Sequence, residues 1–417
     1  MPTNRSAARE QMRRAKVALM GATDSHSFQD LIDRDRAAFS GLRVLYASDV
    51  AGVPIQSKLS NDGNVQSIFT GKGLLAFSSE IEVAMQSGAA AIGIGVRPLI
   101  DTNLFSDLPK LLTGENVSTR ERVEATLDYL TLTFGPSLLD WTFASLENMR
   151  EAAKPGNPWP MRKSAAAQHY LAYGRSKQSH DQFEEFMPLA KDQWQDWLKS
   201  DVLWQQVRRR DAVYTVMLLA FLEAWNGSQV AEALRRMIKF CLDVLGTVPL
   251  KELYFGWKLL RGVHRPEFAL DLFSEPSLKQ PKSDSLARIS AVAWDLFLFR
   301  WCETQMTEKP QFDQRVNAFS FYVPAVTTLD EGLLSAIRSC PLKALLVHDE
   351  GQVVESLFSD ESEFQVQLNA AMTADIRSRL MDPVRLANAG RVDRAAQEMA
   401  VQILEAQVGS MIDLKAA

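Results

Sequence analysis

Cysteine is scarce in this chain: Cys241, Cys302 and Cys340 are the three in 417 residues, far apart and with no Cys-x-x-Cys spacing. That excludes a disulfide framework and a thiolate zinc site, and it points to a reducing, cytoplasmic setting. Histidine is nearly as sparse. Of the five, none forms a His-Glu-x-x-His motif, and His348 beside Asp349 is weak support for a histidine metal site. Excess positive charge is also missing, since the net charge is −5, which argues against a broad basic surface for gripping long duplex DNA. No apolar run reaches the roughly 20 residues a membrane span needs; the most apolar stretch, 213–225, is interrupted by Glu223 and reads as a buried helix. Near the N-terminus, Arg5, Arg9, Glu10, Arg13, Arg14 and Lys16 suit a charged helix, and the apolar patch after them is too short for a signal-peptide core. Phosphate-loop signatures fail as well. Gly71-Lys72-Gly73 lacks both an upstream glycine, the position being Gln66, and a following Ser or Thr, while Gly93-Ile-Gly95 meets Pro98 where a dinucleotide fingerprint needs glycine.

What is present is a chain of ordinary globular composition, 46% hydrophobic and 23% charged, long enough for two or three domains at about 100–200 residues each. Apolar strand-like runs at 42–46, 89–100, 319–327 and 342–348 alternate with helical spacing at 74–85, 286–304 and 331–339. Residues 244–248 are short, apolar and strand-like. Between 119 and 245 the pattern is helical throughout, punctuated by the proline-rich stretch 154–160, and the tail from 362 is helical, with breaks at Asp382-Pro383 and Asn388-Ala-Gly390. Such alternation predicts an α/β fold, a parallel sheet flanked by helices, carrying a large all-α insertion and a helical C-terminal tail. The expected divisions are an α/β extension over 1–88, a core formed by 89–118 with 246–355, a helical insertion over 119–245, and a tail over 356–417.

Four acids fall where one active site could collect them. Asp101 follows the run 93–100; Glu252 opens Glu252-Leu-Tyr-Phe-Gly256; Asp295 interrupts an apolar helix; Asp330 follows 325–329. Ligands of open parallel sheets sit at the carboxyl ends of strands, so Asp101 is aimed at a crevice. Leu99-Ile-Asp-Thr-Asn103, Glu252-Leu-Tyr-Phe-Gly256, Asp295 in its apolar helix and Thr327-Thr-Leu-Asp-Glu-Gly-Leu333, closed by the run 342–347, together resemble the PIN-domain nucleases. The resemblance spans 89–118 and 246–355 and implies a compact parallel sheet and a metal-dependent phosphodiesterase, a hydrolase of RNA or single-stranded nucleic acid.

That resemblance makes Asp101, Glu252, Asp295 and Asp330 the expected ligands of Mg²⁺ or Mn²⁺. Thr102, Asn103 and Thr328 would orient waters or ligands around them. Carboxylates a few ångströms apart disfavour one another's ionisation unless cations offset the repulsion, and paired ions can activate water beside a phosphodiester. Other roles stay open for each acid. Asp101 can cap a helix, Glu252 can complement a helix dipole with Glu223 as the rival second acid, Asp295 can pair with Arg288 or Arg300, and Asp330 can be a turn acid. Arg208, Arg209 and Arg210 form the clearest basic patch, expected either as a solvated helix face or as a guide for a single strand. The alternative function is an inactive binding or regulatory module of the same fold, using its helical parts for contacts with a regulatory protein or a second copy of the chain.

Overall fold

A computed structural model describes residues 2–22, 25–49, 53–54, 64–69, 71–78, 93–174, 183–268, 272–273, 279–307, 319–350, 353–382, 385 and 393–416. The chain divides into two units, the first comprising Met1–Gln205 with Phe299–Phe358 and the second Gln206–Leu298 with Ser359–Ala417. Two of the three boundaries fall inside long helices, Asp201–Trp225 and Ser285–Thr307, and the third falls between Phe358 and Ser359. Among the described residues no helix is long and apolar enough to cross a membrane.

The strands described belong to the first unit: β1 (Leu42–Ser48), β2 (Val53–Pro54), β3 (Val65–Ser67), β4 (Gly73–Ser78), β5 (Gly93–Ile100), β6 (Phe319–Thr327), β7 (Leu342–His348) and β8 (Val353–Phe358). One sheet has the order β2-β4-β1-β7-β8, with every pairing antiparallel; the other has the order β3-β6-β5. The architecture is thus mixed α/β and rich in helix. Only β5 and β6 pair in parallel among the described strands, so these strands do not form the parallel sheet expected from the alternation. β7, expected to extend that sheet, lies instead between β1 and β8. Its residues are buried at nearly every position, which suits a strand covered on both faces and paired along both edges.

Residues 74–78, expected to be helical, form most of β4. They pair one for one with β1, from Arg43 opposite Ser78 to Ala47 opposite Leu74, and this long-range ladder overrides the local spacing. The rest of that expected helix, and residues 89–92 of the run before β5, lie outside the described residues.

Two apolar cores serve the two sheets. The helix Pro2–Met20 turns Ala8, Met12, Ala15 and Leu19 to one side, a helical repeat, and they pack with Leu42, Val44, Tyr46 and Leu346 of the five-stranded sheet. Phe28 stacks on Tyr46 at 4.9 Å between ring centroids. Against the other sheet, Leu104, Phe105, Leu108, Leu111 and Leu112 of the helix Thr102–Leu112 pack with Val96, Ile100 and Ala325. Helices Arg120–Phe134 and Trp159–Tyr173 add Val123, Leu127, Leu130, Ala166 and Tyr170 to this second core.

The described elements of the second unit are all helical. Residues 244–248, expected to be extended, begin in the wide helical turn Cys241–Leu245, which continues Val230–Phe240 and stops at Gly246 with φ 65°. Every described element between Arg120 and Leu245 is helical, yet this stretch is shared between the units, and 246–298 belongs to the second unit. Residues 42–78 supply four strands to the sheets of the first unit. In the tail, Glu361–Ala371, Ala374–Leu380 and Arg394–Ala416 are helices, while Asn388-Ala-Gly390 lies outside the described residues.

Candidate functional site

The parallel pair β5–β6 ends in register, Ile100 opposite Thr327, and each chain turns directly into a helix. Asp101 stands at the first turn and Thr328, Leu329 and Asp330 at the second. Asp101 N donates to Thr327 O at 3.0 Å, closing the strand ends together. The Asp101 carboxylate, 7% exposed, accepts from Thr102 N at 2.7 Å on one oxygen, and from Thr328 Oγ1 at 2.8 Å and Asn103 Nδ2 at 3.2 Å on the other. It therefore caps the helix Thr102–Leu112 and ties it to the neighbouring strand end. Thr328 is fully buried, and its hydroxyl also accepts from Asp330 N at 3.0 Å. Asp330 caps the helix Glu331–Ser339, accepting from Gly332 N at 2.7 Å and Leu333 N at 3.2 Å on Oδ1.

Electrostatics acts on Asp101. Burial pushes the Asp101 carboxyl above the usual aspartate range, and the nearby charge of Asp330 adds to the rise, while Thr328, Thr102 and Asn103 pull it down. The junction is braced from the side. Thr328 N donates to Asn64 O at 3.0 Å, Asn64 Nδ2 donates to Thr126 Oγ1 at 3.1 Å, and Arg122 Nη2 reaches both Asn64 Oδ1 and Glu331 Oε1 at 3.1 Å.

Glu252 and Asp295 belong to the second unit. Glu252 is buried in the first turn of the helix Leu250–His264, and its charge assists burial in pushing the Cys241 thiol up to about 12. The glycine of its motif, Gly256, has a packing role: a Cβ there would meet Met237 Cε at 2.9 Å and Val216 Cγ1 at 3.1 Å. Asp295 is half-buried in Ser285–Thr307. The rival acid Glu223 is taken up by Arg236, whose Nε donates to Oε1 at 2.8 Å, and by Ser228 Oγ at 2.6 Å. Among the described residues no three His, Cys, Asp or Glu side chains stand together as a metal-holding group. At the strand ends the Asp101 oxygens serve three donors and Asp330 Oδ1 serves two backbone N–H groups.

The basic patch is divided as well. Arg210, expected on a nucleic-acid-binding face with Arg208 and Arg209, is 1% exposed. Its Nη2 donates to Ser290 O at 2.5 Å, and its guanidinium lies over the rings of Tyr214 and Trp294. The burial of its aromatic and polar neighbours, invisible in a run of three arginines, draws it inward. Arg209 remains exposed and donates to Gln206 Oε1 at 3.1 Å.

Glu147, from the helical stretch 119–205, reaches the residue that follows Asp101, and Asn148 and Lys163 lie next to one another nearby in that stretch. Thr102 Oγ1 donates to Glu147, Glu147's charge acts on Lys163, and Lys163 Nζ donates to Asn148 Oδ1 at 2.9 Å. The available signal is the helical stripe of Lys163 with Ala166, Ala167 and Tyr170, which sets a cation in an apolar row. Comparison with family models, curated proteins and solved structures returns no match for this chain.

Proposed function

We propose that this protein is a binding or regulatory module in which the strand-end acids hold the fold. One observation carries the reading: both oxygens of Asp101 accept hydrogen bonds, from Thr102 N, Thr328 Oγ1 and Asn103 Nδ2, so the side chain joins two strand–helix turns. The helical parts supply the contact surface, and the helix Arg394–Ala416 exposes Met399, Ile403 and Leu414 to a regulatory protein or a second copy.

A second reading rests on a different observation. Asp101 and Asp330 follow adjacent parallel strands, and the charge of Asp330 raises the Asp101 carboxyl, a repulsion a divalent cation would relieve. This supports a PIN-like nuclease acting on RNA or single-stranded nucleic acid with Mg²⁺ or Mn²⁺, Mg²⁺ being commonly held by one or two carboxylates plus substrate phosphate.

Cleavage of single-stranded and structured RNA in Mg²⁺ or Mn²⁺ decides between them, comparing wild type with Asp101→Asn/Asp295→Asn. The binding-module reading expects no metal-dependent cleavage by either protein. Cleavage by wild type that disappears in the double variant would establish the nuclease instead.

A further inference from the structure

In the second unit the helices Asp201–Trp225 and Arg394–Ala416 are tied to each other along part of their length. Gln397 Nε2 donates to Asp211 O at 3.1 Å and to Thr215 Oγ1 at 2.6 Å, and Tyr214 Oη donates to Glu405 Oε1 at 2.9 Å. Ala400, Leu404 and Val408 are fully buried on the same helix. Beyond these contacts a cavity of about 440 Å³ opens between residues 219–226 of one helix and 406–411 of the other, within the range of about 300–1,000 Å³ found for small-molecule sites. Small side chains leave the space. Ala406 and Ser410 line it, and Ser410 Oγ turns back to donate to Ala406 O at 2.9 Å.

The lining is apolar within and polar toward solvent. Leu219 and Leu222 are buried and Met411 is partly buried, while Asn226 and Gln407 are exposed at the mouth, so a small molecule has a way in and an apolar wall to cover. The one charged side chain in the lining is the buried carboxylate of Glu223. Its Oε2 serves Ser228 Oγ and Arg236 Nη2, whereas Oε1 accepts only from Arg236 Nε among the described residues, at 2.8 Å, which leaves it a lone pair for a further donor. Glu223 stands in the last turn of its helix, where no basic residue occurs and the aligned peptide dipoles make the negative end. Arg236 faces it from the helix Val230–Phe240 and also pairs with Glu232, which Arg235 shares. Two arginines and two acids offset each other, and the helix end leaves the cavity with a negative bias.

We propose that this cavity binds a small organic ammonium, a primary amine carried on a short apolar body. Its N–H donates to Glu223 Oε1, the amide oxygens of Asn226 and Gln407 offer further acceptors at the mouth, and the body lies against Leu219, Leu222 and Met411. An anion of the same shape meets the carboxylate and the negative helix end, and a neutral analogue keeps the apolar contact without the charge-assisted bond. Such binding goes beyond the binding-module reading and uses none of the four acids at the proposed metal site, so either can fail alone.

Calorimetric titration of the full-length protein at neutral pH with n-hexylammonium, n-hexanol and hexanoate provides the test. The ammonium is expected to saturate a single site and to bind at least about tenfold more tightly than either analogue, the gain of one charge-assisted hydrogen bond. Ala406→Leu sets a larger side chain into the cavity at an exposed helical position that leucine suits, and it should weaken ammonium binding at least about fivefold. The wild-type ranking of the three probes stands whether or not that variant folds. Absence of saturable ammonium binding, as for a gap that holds only water, overturns the proposal. So does hexanol or hexanoate binding as tightly as the ammonium, or ammonium binding unchanged in a folded Ala406→Leu protein.

Discussion

Replacing Thr328 by valine removes a single hydroxyl that serves two partners at once. Thr328 is fully buried, donates to Asp101 at 2.8 Å and accepts from Asp330 N at 3.0 Å. Losing a hydrogen bond to a carboxylate costs about 1.5–3 kcal/mol, and a backbone N–H left without its acceptor costs about 1–3 more. Because the two bonds share one oxygen and the site can relax, the expected destabilisation is about 2–4 kcal/mol. Its pH dependence follows from Asp101. The folded carboxyl titrates above the ordinary aspartate value of 3.8, so the protonated form favours folding; that contribution is complete below the ordinary value and is lost as pH rises through the folded one. Thr328 is one of the donors that restrain the rise. Its removal raises the folded value further, and the stability gap between wild type and Thr328→Val should widen from about pH 4 to about pH 8. Urea unfolding followed by tryptophan fluorescence at both pH values measures this. A gap under about 0.5 kcal/mol that is equal at the two pH values would refute the reasoning.

Gly256 and Gly409 make a matched pair in helices of the second unit. Gly256→Ala forces a Cβ against Met237 and Val216, and overpacking of about 1–3 kcal/mol outweighs alanine's helix preference of about 1; Gly409→Ala meets nothing within 4 Å and should stabilise by about 0.5–1 kcal/mol in the same denaturation assay. Arg236→Ala strips the buried Glu223 carboxylate of its guanidinium and should cost about 1.5–3 kcal/mol, with Glu223→Gln in the same background recovering part of the loss. All three thiols are buried, and with Cys241 pushed up to about 12 a disulfide reagent should modify them at the rate of unfolding; rapid labelling of native protein at neutral pH would contradict that burial.

Elements governed by local spacing were legible from the chain itself. The helix after Asp101 begins where the apolar repeat Leu104, Phe105, Leu108, Leu111 begins, and β1, β6 and β7 are apolar runs flanked by polar residues. Their partners were not legible, because pairing is set by contacts far apart in sequence. β4 reads as helical until β1 lies beside it, and β7 carries no residue that chooses between a parallel neighbour and β1. The same limit governs the acids. Asp101 and Asp330 both follow strands, and those strands are neighbours. Glu252 and Asp295 were added by a likeness of short motifs, and Gly256 of one motif answers to helix packing against Val216 and Met237. Sequence spacing alone brings neither Asn148 to Lys163 nor Glu147 to Thr102.

The proposed binding module requires that Asp101 joins two strand–helix turns without holding a metal ion. Calorimetric titration of Mn²⁺ into wild type and Asp101→Asn tests it directly. The account predicts no saturable binding that differs between the two proteins. Stoichiometric Mn²⁺ binding to wild type that vanishes in a folded Asp101→Asn variant would contradict it.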